Sequence, residues 1–288
     1  MSNPMLRADK FGTAAGPPTA WPGGQQPGAG GPGAPVPPAA DNVPGSPWPP
    51  PTAEPTLRRG GVASATAVLL ALICVSGVVG WNAVSTTSQV LPDGTEETTS
   101  ISVPPWIIGA VVVGLVLALA SFFKPRWARV TAPLYALAQG LAVGAISKAY
   151  EVQFEGIVLQ AVGLTIGVFA MMLVLYATGR IRVTPRFRLG VIAATGGIFL
   201  VYLVSFVLSL FGSGVPYIHS NGLVGIGFSV VVVVIAALNL TLDFDFIDKA
   251  EQSGAPQYLE WFAALSLVVT LVWLYLEILR LLAKLRSR

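Results

Sequence analysis

The run GLVGIGFSVVVVVIAALNLTLDFDFID, Gly222 to Asp248, decides how this chain is read. Its first part, Gly222–Leu242, carries no charge and as a helix is long enough to cross a hydrocarbon core of about 30 Å. Its close places Asp243, Asp245 and Asp248 directly on the end of that span. An ionisable side chain at membrane depth costs roughly 2.5–3.5 kcal/mol on insertion scales, so each is a candidate functional group.

Six further runs of the same kind flank this one: Val62–Val84, Trp106–Phe123, Thr131–Ala149, Ile157–Thr178, Leu189–Phe211 and Tyr258–Leu282. Barrel strands would be nearer ten residues and would alternate in polarity. With 53% hydrophobic and 11% charged residues, the sequence predicts an all-α polytopic membrane protein of seven transmembrane helices, with the lipid bilayer as its first partner. The first run starts some sixty residues in and six others follow, so it reads as a span and not as a cleaved signal.

Residues 1–57 hold 15 of the 23 prolines, with glycine, alanine and glutamine between them. Such a segment buries too little apolar surface to offset its ordering entropy, which predicts a disordered tail ahead of a membrane domain at 58–288. Pro37-Pro38 and Trp48-Pro49-Pro50-Pro51 are candidate polyproline II ligands for a protein partner. The net charge of +3 comes from basic residues at span borders, not from a patch interleaved with exposed aromatics, so no nucleic acid is expected. Cys74 is the sole cysteine and excludes an internal disulfide.

Lys and Arg alternate between the connecting segments. Arg58 and Arg59 precede the first span, Lys124, Arg126 and Arg129 fill the second loop, and Arg180, Arg182, Arg186 and Arg188 the fourth. The first and fifth loops have none. The positive-inside rule then puts the amino terminus in the cytoplasm. Seven full crossings would leave Lys284, Arg286 and Arg288 outside, against the rule, so the final segment either overrides that bias or enters without crossing.

Gly140 with Gly144, and Gly163 with Gly167, fit the small-xxx-small pattern of membrane helix packing, and Gly222, Gly225 and Gly227 crowd the sixth span. No strand is expected, so none of these glycines belongs to a phosphate-binding loop.

On a continuous sixth helix Asp243 and Asp245 point to nearly opposite sides, while Asp245 and Asp248 share a face, with Lys249 four residues beyond Asp245. Like charges on one face disfavour each other's ionised form, as a proton-sensitive gate requires. Asp248 is expected in water and Asp245 paired with Lys249. Asp243, nearest the bilayer, is the stronger functional candidate. On the last span Ala263, Ser266, Thr270, Trp273 and Glu277 recur at spacings of three and four, a small-to-polar stripe that should face protein or a water-filled cavity. Glu277 is then either a second buried carboxylate or a partner of Arg280. Glu260 is expected as an interfacial anchor or a favourable helix-N-terminal charge.

An enzyme is not expected. The single histidine, His219, excludes an HExxH metal site. Gly212-Ser213-Gly214 has the look of an intramembrane serine nucleophile, but His219 lies in the same loop and not on a separate helix where it would act as base. A retinal-type photoreceptor would need a mid-span lysine in the last helix, and none is present.

Three passages resemble the Bax inhibitor-1-like family, the transmembrane Bax inhibitor motif proteins. They are Pro133-Leu134-Tyr135-Ala136-Leu137-Ala138-Gln139-Gly140-Leu141, the aspartate close of the sixth span, and Ala264-Leu265-Ser266-Leu267 through Leu279-Arg280-Leu281-Leu282. The resemblance covers roughly residues 60–285, leaves the tail outside, and points to a bacterial, particularly actinobacterial, branch. It implies six helices around a central seventh and a pH-sensitive calcium leak gated by aspartates of the last two helices. The sixth-helix aspartate corresponds to Asp243 or Asp245, which are then candidate calcium ligands. The final-helix aspartate corresponds to Thr270, so the pair is not intact, and Glu277 is a candidate substitute on the same face. The expected function is a pH-sensitive calcium or cation leak channel in the bacterial plasma membrane. It would need no cofactor, and calcium or protons would be its cargo. The alternative is a non-transporting scaffold or regulator of membrane proteostasis or stress response, acting on a membrane-protein partner. A proton-coupled solute exchanger is a weaker option, since no internal repeat or pair of broken helices is evident.

Overall fold

The computed structural model describes residues 55–90, 96–210 and 222–287. Its helices are α1 (Arg59–Ala83), α2 (Trp106–Phe123), α3 (Ala128–Gln153), α4 (Ile157–Ala177), α5 (Pro185–Leu210), α6 (Leu223–Gln252) and α7 (Leu259–Arg286). All seven are long and apolar enough to cross a membrane, and the protein is a multi-pass membrane protein. The helix bounds follow the apolar runs to within a few residues, except where α6 and α7 outrun the hydrophobic stretch. α6 continues ten residues past Leu242, so the acidic close is helical throughout.

The expectation of no strands does not hold. After α1 the chain forms an antiparallel hairpin of β1 (Ser85–Val90) and β2 (Glu96–Ser102), with Ser85 opposite Ser102. Runs of threonine and serine suit a pleated, half-solvated ribbon as well as a loop, and hydropathy does not separate the two. The tail at 1–54, with its proline motifs, lies outside the described residues, as do Gly212-Ser213-Gly214 and His219.

α7 is the centre of the bundle. Of its most apolar window 72% is buried, against 11% for α5 at the periphery. α7 packs on α1, α3, α4 and α6, and Tyr202 of α5 reaches it through a side-chain hydrogen bond to Glu277. Five helices therefore stand directly against the seventh, and α2 packs on the bundle mainly through α3. An apolar helix in lipid gains nothing from hydrophobicity alone on meeting another, so close packing and polar contacts hold the bundle. Ser147 Oγ and Tyr275 Oη share a 2.7 Å bond between α3 and α7, and Asn239 Nδ2 donates to Thr195 Oγ1 at 2.8 Å between α6 and α5.

The tightest seam joins α1 to α3. A methyl group on Gly144 would collide with the backbone of Gly77, one on Gly80 with the backbone of Leu141, and one on Gly140 with Ser76 and Ile73. The Gly140/Gly144 pair is thus a packing site with a matching notch on α1. Gly163, Gly167 and Gly227 are not: each faces open space. The motif marks where helices are able to approach, but only a partner helix makes it a contact.

α7 runs the full length of the bundle, antiparallel to α6. Near its end Lys284 Nζ donates to Gly225 O (3.1 Å) and Ser229 Oγ (3.0 Å), at the start of α6. Arg286 donates to Glu155 O in the α3–α4 turn at 2.6 Å. The final segment therefore runs from one end of the bundle to the other and ends opposite the start of α1. Two basic groups of this end, Lys284 and Arg286, are thus held by backbone and hydroxyl oxygens.

Candidate functional site

Along the last turns of α6 the buried positions are Leu240, Thr241, Asp243, Phe244, Ile247 and Ala250. This phase turns Asp243 inward against α7 and leaves Asp245 two positions round the helix. Ser266 Oγ of α7 donates to Asp243 Oδ1 at 2.6 Å. Thr270 lies beside the same carboxyl group, while its own hydroxyl donates to Ser266 O at 3.1 Å. Asp243 is 9% exposed, and its Oδ2 is buried with no hydrogen-bond partner among the described residues. A buried carboxyl oxygen left bare is costly, so the site suits a proton, a cation or water at Oδ2.

The neighbouring carboxylates are each engaged elsewhere. Asp245 pairs with Lys249 at 2.5 Å, as the i,i+4 spacing predicts. Asp248, expected in water, accepts the Tyr176 hydroxyl at 2.8 Å and lies 3.2 Å from Arg59 Nε. Asp243 and Asp245 thus have separate surroundings and do not converge on one ion, and the described residues contain no cluster of three metal-binding side chains. Glu277 is also apart. It is eleven residues beyond Ser266 on α7, a rise of about 16 Å. There it accepts Tyr202 Oη at 2.9 Å and Arg280 Nη1 at 3.1 Å, and the Arg280 guanidinium lies over the Tyr202 ring. Both sequence alternatives for Glu277 hold together: it is buried and it pairs with Arg280.

The start of α1 closes this end of the bundle. Leu57 is 1% exposed, and its N–H donates to Ala255 O at 2.7 Å in the α6–α7 connection. The N–H of Gln257 returns to Pro55 O at 3.0 Å. Glu260 Oε1 accepts the N–H of Arg58, and Glu251 Oε1 that of Arg59, each at 3.0 Å. The first turn of α1 is thus capped by carboxylates of α7 and α6, where the helix dipole favours negative charge. Gly61 makes this possible, since a side chain there would collide with the Glu260 carboxyl group. Glu260→Ala is expected to weaken the clamp by about 1.5 kcal/mol, the scale of a charged hydrogen bond to a backbone donor. That is roughly tenfold faster hydrogen exchange in peptides covering residues 55–62; unchanged exchange would show that the contact adds no stability.

A family model described as Bax inhibitor 1 like matches residues 5–287. The chain belongs to the Bax inhibitor 1-like family. No protein of curated function matches it. The match starts well inside the tail, which the sequence resemblance had left outside. In this Bax inhibitor 1-like protein, the position that the resemblance gives to a second aspartate is Thr270, and of Asp243 and Asp245 it is Asp243 that faces it. Two hydroxyls, Ser266 and Thr270, stand where a carboxylate partner was expected. Sequence reading missed Tyr176, Tyr202 and Arg59 as partners of the carboxylates. A tyrosine inside an apolar span, with a hydroxyl that needs a bond, was the available signal.

Proposed function

We propose that this Bax inhibitor 1-like protein is a pH-sensitive leak for calcium or another cation, with Asp243 as the titrating and cation-attracting group. The observation that carries the reading is the Asp243 carboxyl group, buried between α6 and α7 with one oxygen bonded to Ser266 and the other bare. Protonated, Asp243 leaves the contact neutral and the helices closed on each other. Ionised, it demands a positive charge or water at Oδ2, and a passing cation supplies that charge. Flux should therefore rise as pH rises through the titration of this group. No enzymatic reaction is assigned to the protein. The charge pattern of its loops supports an amino terminus in the cytoplasm, and the resemblance to the bacterial branch of the family supports the plasma membrane as its location.

Calcium efflux from liposomes holding the purified protein, measured from pH 5 to 8, tests this. Asp243→Asn is expected to flatten the pH profile and lower flux about tenfold at the alkaline end, while Asp245→Asn keeps the profile. No flux from the wild type at any pH, or an unchanged profile in Asp243→Asn, overturns it.

A second reading is favoured by the clamp at Pro55–Arg59: a membrane scaffold or stress regulator whose tail receives a protein partner. Pro55, Leu57 and Arg58 are hydrogen-bonded to the α6–α7 connection and the start of α7, so a partner's pull transmitted to them would act on the Asp243 contact. Copurification of a membrane protein that is lost on deleting residues 1–52, in a chain showing no flux, would favour this reading over the first.

A further inference from the structure

Between α1 and α4 the bundle is open. A groove of about 1460 Å³ runs there from Arg59 to Asn82 of α1, and its floor is formed by Leu267, Leu271 and Val272 of α7. Twenty-three residues of helix are about 35 Å, close to the full depth of a hydrocarbon core. Most of the wall is aliphatic or small, and the charged lining groups are all at one end: Arg59, Arg182, Asp245 and Asp248.

The balance of charge at that end decides the occupant. Each nearby carboxylate already has a cation, Asp245 through Lys249 and both Asp248 and Glu251 through Arg59. Arg182 makes no side-chain hydrogen bond, ion pair or ring contact among the described residues. It lies in the short connection after α4, on the rim of the groove. What is left unmatched is a guanidinium at the mouth of an apolar slot that is as long as a bilayer is deep. A guanidinium presents two parallel donors to a phosphate, and an acyl chain matches the slot.

We propose that this groove is a binding site for an anionic phospholipid, its phosphate on Arg182 and an acyl chain along the slot, over Leu267, Leu271 and Val272 of its floor. The lipid replaces the protein wall that α1 and α4 leave open and covers the apolar side of the central helix. The site is independent of whether Asp243 passes ions.

Native mass spectrometry of the full chain tests it, using dioleoyl phosphatidylglycerol against dioleoyl phosphatidylcholine. The wild type is expected to retain phosphatidylglycerol about tenfold more strongly, the scale of a charged hydrogen-bonded contact. Arg182→Gln removes that preference. Arg186→Gln, an exposed arginine outside the groove, leaves it intact. Val162→Trp, which fills the slot from α4, lowers retention of both lipids. Equal retention of the two lipids by the wild type overturns the proposal, as does the same loss from Arg186→Gln as from Arg182→Gln, which would mean diffuse surface attraction only. Undiminished retention in a folded Val162→Trp protein overturns the groove as the seat of the chain.

Discussion

Gly144→Ala is expected to be among the most damaging single-methyl changes in this protein. The new methyl group would sit on the backbone of Gly77, which has no side chain to swing aside, so α1 and α3 must separate along their tightest seam. Overpacking a close contact costs roughly 1–3 kcal/mol, and the upper end applies where backbone opposes backbone. On the scale of a domain this size, about 3 kcal/mol corresponds to a fall in melting temperature of roughly 6–12 °C, readable in detergent by the loss of monodisperse protein on heating. Gly167→Ala is the matched control: it has the same spacing motif and the same added methyl group, on a helix face that meets open space. Removing a helical glycine there should stabilise by up to about 1 kcal/mol, so the two substitutions are expected to move stability in opposite directions. Equal effects would mean that the α1–α3 seam is not the contact described.

Arg280→Ala is the second large effect. Glu277 has a side chain only 3% exposed, and Arg280 supplies its positive charge while also bonding and stacking on Tyr202. Breaking one side of a fully buried pair costs about 3–5 kcal/mol; with the Arg280 side chain 41% exposed the lower end applies, whereas removing both charges is often close to neutral. Arg280→Ala should therefore destabilise severely, and the double substitution Glu277→Gln with Arg280→Gln should recover most of the loss. A double variant as unstable as Arg280→Ala would show that packing on Tyr202, and not charge balance, carries the contact. This cluster is about 16 Å along α7 from the Asp243 contact, so the double variant should leave the pH profile of any flux in place.

The seven spans were legible because length and apolarity are local properties, and a bilayer accepts little else. That Asp243 and Asp245 take opposite sides of the helix was legible too, since two positions on a helix differ by more than half a turn; which of them turns inward was not, because that depends on where α7 stands. The hairpin after α1 was not, because its threonines and serines carry no alternation of polar and apolar residues. Nor was the fate of Asp248: water and a Tyr176–Arg59 pair look alike in sequence when the partners lie 72 and 189 positions away.

The sequence by itself determined a seven-span membrane protein with carboxylates at one end of its sixth helix, through hydropathy, charge placement and helical periodicity. Only the tertiary structure decided which carboxylate is buried bare, which glycine pair is a seam, and that the groove between α1 and α4 stays open with Arg182 on its rim. These depend on what stands opposite each side chain. Desolvation and close packing act between helices that are distant in the chain, and a single strand of sequence carries no record of that distance.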